Sequence, residues 1–263
     1  MDRTLAHFPR NPDYGRGIYR RRLLFVSDDR SITAQVDDTH HSYWLTLDHD
    51  GARVTAIDGA FMRAPNTACP GAPAGLASLI GQPIDAPVSE TLARLPAALN
   101  CTHLTDLACW SLAQTGRSQL WEVVIPDQTA KPVWIEVLRD GSVVHRWQVA
   151  DRHIVTPPHL AGRPIMKGFR SWARAQFDGE ELLAATMLQR GVFVARGREY
   201  IVDQGDPVPL ALAEGMSGMC WSYSGAQLAS ATGSLNYVHD FTAAIESGQP
   251  PPHVAARLQG AAS

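Results

Sequence analysis

Lysine is almost missing from this chain of 263 residues: Lys131 and Lys167 stand alone among 23 basic side chains, and the rest are arginine. Positive charge is not in excess either, since 26 acids leave a formal charge of −3 and no long basic stripe forms. Non-specific binding to a phosphate backbone needs a basic surface, so nucleic acid is not expected as a partner. No apolar run approaches the ~18–20 residues of a membrane span, and no membrane association is expected. The stretch from Met1 to Arg22 carries charges and prolines but no continuous apolar segment like that of a signal peptide, which points to the cytoplasm. Cysteine is scarce. Cys69, Cys101, Cys109 and Cys220 are spaced widely and unevenly, which is no disulfide framework, and they are expected to be reduced.

Familiar catalytic motifs are absent as well. The chain has no Gly-x-Gly-x-x-Gly, no phosphate-binding Gly-Lys-Ser loop, no His-Glu-x-x-His and no Cys-x-x-Cys. Gly215-Met216-Ser217-Gly218 falls short of a nucleophile elbow, which needs Gly-x-Ser-x-Gly between a strand and a helix. A nucleotide enzyme or an α/β-hydrolase is therefore disfavoured.

What is present is a core-forming chain, 45% hydrophobic, long enough to fold without disulfides or metals. Residues 1–18 read as an extended arm dense in Pro, Gly and Arg. The cluster Arg20-Arg21-Arg22 reads as a solvated strand start rather than a grip for an acidic substrate. Leu24 to Val26, Ile32 to Val36, Tyr43 to Leu47 and Val54 to Ile57 are short β-branched and aromatic runs separated by polar turns, the pattern of an antiparallel meander. Tyr43, Leu45 and Leu47 share one face, Trp44 and Thr46 the other. Helices are expected at Leu76 to Ile80, Glu90 to Leu95 and from Thr102, as N-cap, to Gly116. A second meander follows over Leu120 to Ile125, Val133 to Leu138 and Val143 to Val149, with a hairpin at Asp140-Gly141. Beyond it the spacing predicts helices at Phe169 to Phe177, Glu180 to Arg190 and Leu235 to Ile245, and a small hairpin from Val192 to Val202 around Gly197-Arg198. The fold class is α+β: two antiparallel β-meanders packed with helices around a shared core. One domain over 19–247, with a candidate sub-boundary at 151–162, would be followed by a mobile tail over 248–263.

Two segments carry candidate chemistry. Asp37-Asp38-Thr39-His40-His41 lies in a tight turn, and Asn100-Cys101-Thr102-His103-Leu104-Thr105-Asp106 opens the longest helix. A helix N-terminus favours a neutral histidine base and a thiolate. The bland alternatives are a buried Cys101 and a surface pair of His103 with Asp106. Cys69, Cys101, His103 and His41 have the chemistry of a zinc site, but only one pair is closely spaced, so no metal is expected. Lys167, beside Gly168, is a candidate acid or anion anchor. The run Cys220-Trp221-Ser222-Tyr223-Ser224 suits either an aromatic-binding pocket or, more commonly, a buried strand.

Ala64-Pro65-x-x-x-Cys69-Pro70 followed by Cys101-Thr102-His103-Leu104-x-Asp106-Leu107 resembles the bacterial family called domain of unknown function 2889, whose signature is an Ala/Ser-Pro-Tyr-x-x-Cys loop and a Gly-Cys-Thr-His-Leu-x-Glu-Leu helix start. His41-Ser42-Tyr43-Trp44-Leu45-Thr46-Leu47 is similar to that family's His-Asp-Met-Trp-Leu-Arg-Leu strand. The likeness spans residues 18 to 120. Asn100 replaces the family's glycine and Asp106 its glutamate, and a shorter loop leaves both His40 and His41 as the equivalent histidine. Related proteins act in aromatic and lignin-dimer catabolism, and the resemblance implies a cofactor-independent γ-formaldehyde lyase acting on a small aromatic substrate. His103 or His41 would be the base, oriented by Asp106 or Asp38, with Lys167, Tyr223 or Arg63 aiding the departing oxygen. Trp44, Cys101, Trp221 and Arg63 would contact substrate, which is expected to be uncharged, held by apolar walls and a few polar groups. Two other classes stay open: a hydrolase or thioester-active enzyme with Cys101 as nucleophile and His41 as spatial partner, and a non-catalytic small-molecule-binding protein in which Cys69, Cys101 and His103 lock loop to helix. A homo-oligomer is left open.

Overall fold

The computed structural model describes residues 5, 7–128, 131–213, 215–244 and 248–259. The first residues of the expected arm, Met1 to Thr4, and the end of the expected tail, 260–263, lie outside these.

Eight strands build one antiparallel sheet: β1 (Ile18–Ser27), β2 (Ser31–Asp38), β3 (Ser42–His49), β4 (Val54–Arg63), β5 (Gln119–Pro126), β6 (Val133–Arg139), β7 (Ser142–Ala150) and β8 (His153–Thr156). Their spatial order is β4-β3-β2-β1-β5-β6-β7-β8, so the two meanders join edge to edge through β1 and β5. The α+β expectation holds, and the two meanders share one hydrophobic cluster that runs from Tyr19 to Ala195. Period two sets the inner face. Along β1, Tyr19, Arg21, Leu23 and Phe25 are buried and the residues between them half-buried. Each apolar member of such a row contributes about 1.5–3 kcal/mol by leaving water.

Helices cover the inner face. α1 (Val88–Arg94) leads to α2 (Thr102–Ala113), which packs on β2 and β3. α3 (Phe169–Gln176) and α4 (Gly179–Ala195) follow β8, and α4 packs across β5, β6 and β7. Gly191 lets that helix approach closely, because a Cβ there would lie 2.7 Å from the Val123 side chain. The outer face of β2 and β3 is covered too. The tail expected to be mobile forms helix α6 (Pro252–Gln259), whose Val254 is fully buried, while Gly248 N donates to Asp37 and Gly248 O accepts from Gln35. Between α4 and α6 in the chain, the short helix α5 (Gly225–Ser230) packs on the 3-10 turns at Leu210–Leu212 and Trp221–Tyr223.

Several local expectations are corrected. The small hairpin from Val192 is not formed: Val192 to Ala195 are the last turn of α4, followed by a 3-10 turn at Arg196–Glu199. Burial against the sheet outweighed the β-propensity of Val192 and Val194, and Gly191 marks close packing rather than a helix end. Leu235 to Asp240 is not helical. Asn236 has φ 54°, and the N–H groups of Asn236, Val238 and His239 are taken by Asp203 and Thr39; Ile245, the end of that expected helix, lies outside the described residues. Arg21 is not solvated but buried at 1% exposure, paired across β1 and β2 with Asp38. Cys220 to Ser224 is no strand but carries a 3-10 turn, Trp221–Tyr223. The segment 69–79 forms one long 3-10 helix, because Pro70 and Pro73 remove donors that an α-helix would use. Strand β8 had no sequence signal, since Asp151 and Arg152 make its positive-φ turn without glycine.

Candidate active site

A cavity of about 540 Å³ opens between the inner face of the sheet, the start of α2, the helices α3 and α4, and the irregular segment 202–237. Its floor is the turn between β2 and β3. Asp38 ends β2 fully buried, and its Oδ1 accepts from the backbone N–H of His40 at 2.7 Å and of His41 at 2.8 Å. These bonds tighten the turn, a local role that a short carboxylate performs well. The same Oδ1 lies 3.1 Å from Nδ1 of His41. The other oxygen faces Nε of Arg21 at 3.5 Å, and Arg21 donates to the hydroxyl of Tyr43 at 2.6 Å. Burial alone would raise the Asp38 carboxyl, but His41 and Arg21 outweigh it and hold it well below the usual carboxylate range. Asp38 is therefore ionised, and it orients His41 with Nδ1 toward the carboxylate; in the neutral ring this contact places the proton on Nδ1 and leaves Nε2 as the acceptor.

Arg63 secures the turn from the edge strand β4. Its guanidinium donates to the carbonyls of Asp38 (2.6 Å), Thr39 (3.0 Å), His41 (3.0 Å) and Tyr237 (2.8 Å). Those four bonds commit it to the backbone, and it does not line the cavity. The substrate-contact role expected for Arg63 gives way to a structural one.

Helix α2 brings His103 over His41, with ring centroids 4.2 Å apart and planes tilted by 41°. Cys101 Sγ lies 3.8 Å from Nδ1 of His103, while Nε2 of His103 is buried without a partner. Burial first, then the charges of His41, Arg190 and Arg21, push the His103 pKa well below its ordinary value, so the ring is neutral. His40 also lines the cavity, and burial takes its pKa down to about 3. Gly197 packs against it so closely that a Cβ would lie 2.6 Å from His40 Nε2.

At the site, burial disfavours the thiolate form of both cysteines. Burial pushes Cys101 up to about 12 and Cys69 up to about 11, which overturns the expected thiolate at the helix start: loss of water there exceeds what the helix dipole returns. Cys69 Sγ sits 3.3 Å from the hydroxyl of Ser222, and the Trp221 indole donates to Ala68 O at 3.1 Å. The pair pins the 3-10 helix of residues 69–79 to the segment after Gly218.

The structure thus brings together Asp38, His41, His103 and Cys101, with Tyr223 on the wall of the same cavity, and it separates the other sequence candidates from them. Asp106 does not orient His103; its carboxylate binds Arg170 at 2.9 Å and, more closely, Arg190. Lys167 is exposed and outside the cavity. Trp44, on the opposite sheet face as its alternation required, packs against His253 of α6 rather than a ligand, and Trp221 likewise does not line the cavity. Sequence reasoning missed Arg170, Arg190 and the apolar walls Phe8, Phe61, Phe193 and Met166. Only Arg190 and Phe193 share an element, α4; the others come from separate segments that no local pattern connects. Among the described residues no group of three or more His, Cys, Asp or Glu converges as metal ligands do. No helix among them is long and apolar enough to cross a membrane.

An Asp–His pair on the floor of an apolar cavity is the frame of a general-base site. Residues 25–116, which supply β2, β3, β4 and α2 and hence Asp38, His41, Cys101 and His103, match the family model described as "Protein of unknown function (DUF2889)". That is the family the two cysteine motifs resemble. Comparison with curated proteins gives no match.

Proposed function

We propose that the protein is a cofactor-independent lyase that releases formaldehyde from the primary-alcohol side chain of a lignin-derived aromatic dimer and leaves a stilbene. The observation that carries this reading is the Asp38–His41 pair, with His103 tilted over it, at the floor of an apolar cavity large enough for two aromatic rings. Nε2 of His41 takes the proton of the primary hydroxyl, and that oxygen's electron pair becomes the C=O of formaldehyde. The electrons of the broken C–C bond form the stilbene double bond, and the ether C–O bond opens to a phenoxide. Neutral His103 packs over His41 and holds that ring in place beside the hydroxyl. Tyr223, kept protonated by burial with its pKa up to about 12, donates a hydrogen bond to the phenoxide. The proton held by His41 then returns to that oxygen, so electrons and protons balance without an external redox partner.

The raised pKa of Cys101 counts against the nucleophilic hydrolase reading, because a neutral thiol is a weak nucleophile. Four free cysteines suit a reducing compartment, and on that ground we place the protein in the cytoplasm. The test is to incubate the protein with a phenylcoumaran-type diol and measure formaldehyde by a trapping reagent and the stilbene by its absorbance. Both products in equal amounts are expected; hydrolysis products with neither would overturn the reading.

A further inference from the structure

The charges around the cavity are one-sided. Arg170, Arg190 and Arg196 line it, and among the described residues no Asp or Glu does. In a protein of net charge −3 this is a local choice, not a reflection of composition. The expectation of an uncharged ligand does not fit such a lining.

The geometry is specific. Asp106 lies three residues after His103 on α2, one helical turn further along, about 4.5 Å on the axis. Its carboxylate is buried and tied to Arg170 of α3 at 2.9 and 3.0 Å and to Nε of Arg190 of α4. Burial alone would raise the Asp106 carboxyl, yet the two guanidiniums outweigh it and hold it down, so the triad carries two positive charges against one negative. The contacts to Asp106 use one terminal nitrogen of Arg170 and only Nε of Arg190. A guanidinium has five N–H donors in a planar fork, which leaves each of them donors beyond the pair. Arg190 is 11% and Arg170 37% exposed, so the excess charge is desolvated on one side and open to the cavity on the other. The ring of Phe193 lies 5.6 Å from the Arg190 guanidinium, giving an aromatic wall beside the charge.

We infer that Arg170 and Arg190, preset by Asp106, hold a carboxylate of the substrate, so that the natural ligand is an aromatic acid rather than a neutral aromatic. The inference deepens the lyase reading, on which it rests for the reacting end of the ligand; anion binding itself can be measured without turnover. Asp106 keeps the two forks in place when the cavity is empty, and a ligand carboxylate then supplies the second negative charge that the triad lacks. Bidentate Arg–carboxylate contacts provide both the affinity and the orientation that presents the far end of the ligand to His41.

The probes are cinnamate and cinnamyl alcohol, which share a ring and chain and differ in the acid. Calorimetric titration at low salt is expected to show the wild-type protein binding cinnamate about tenfold or more tightly than the alcohol, the usual scale of a charge-assisted hydrogen bond. Arg190→Met and Arg170→Met should each reduce that preference, read as the ratio of the two affinities within each variant, to about twofold, and added salt should weaken cinnamate selectively. Asp106→Asn, which keeps both arginines, should strengthen cinnamate binding; a purely structural ion triad would give no such gain. Equal affinity for the two probes, no binding of either at millimolar concentration, or a preference that survives in both arginine variants would overturn the inference. A retained preference without formaldehyde release would sink the lyase reading alone, and formaldehyde release without the preference would sink the anion subsite alone.

Discussion

Asp38 Oδ1 lies 3.1 Å from Nδ1 of His41 and at the same time closes the turn that carries His41. One buried oxygen therefore sets both the shape of the turn and the tautomer of the ring. Removing the charge while keeping the shape separates the two roles. Asp38→Asn should lower turnover at least about 10²-fold, since the amide offers its N–H to Nδ1 and favours the wrong tautomer. It should also cost about 3–5 kcal/mol of stability, because Arg21 is left as a buried charge without its carboxylate. Steady-state kinetics and urea unfolding read the two effects.

Acid should destabilise the fold before any carboxylate is protonated. His40 is neutral in the folded state with its pKa down to about 3, and His103 is shifted in the same direction. In the unfolded chain both take up protons below about 6.5, so stability is complete above that pH and is lost as pH falls from there toward 3. Asp38, depressed in the folded state, adds a further loss below about 4. Urea midpoints at pH 7, 6 and 5 should fall steadily. His40→Gln should flatten that slope by about 1.4 kcal/mol per pH unit, and an unchanged slope would contradict the assignment of His40 as a buried neutral ring.

Arg63 belongs to the scaffold of the turn, not to the chemistry. Arg63→Met leaves four carbonyls without their donor, and a loss of about 2–4 kcal/mol is expected by thermal unfolding. Turnover per folded molecule should fall with it, as the turn loosens. Lys167→Ala, at an exposed site, should change neither stability nor turnover by more than about twofold, within the usual range of surface substitutions.

Cys101→Ser tests the thiol directly. With a pKa raised to about 12 the thiol is protonated at any working pH, so iodoacetamide at pH 7.5 should leave activity intact and the serine variant should retain it within about threefold. Loss of activity with alkylation of Cys101, read by mass spectrometry, would revive the nucleophile.

Much of the sheet was legible because its strands alternate cleanly: Tyr43, Leu45 and Leu47 face the core, and Asp140-Gly141 makes its hairpin with φ of 49° and 78°. The Asp38–His41 turn and the start of α2 were legible as candidates for the same reason, being short polar segments between strong periodic ones. Partners were not. Nothing local tells that Asp38 rather than Asp106 meets a histidine, because Asp106 is claimed by Arg170 and Arg190, which stand 64 and 84 residues away. Arg21 looked solvated because it sits between two other arginines, while the pleat turns it alone into the core opposite Asp38. Trp44 and Trp221 looked like ligand walls because aromatic content is visible in sequence, while the partners they pack on, His253 for Trp44 and the Ala68 carbonyl for Trp221, are not.

The account rests on His41 as the base. The direct measurement is formaldehyde release from a phenylcoumaran-type diol by the wild-type protein and by His41→Gln, with folding of both verified by circular dichroism. The account predicts formaldehyde and stilbene in equal amounts from the wild type and a fall of at least about 10²-fold in the variant. A folded His41→Gln protein with unchanged formaldehyde release would contradict it.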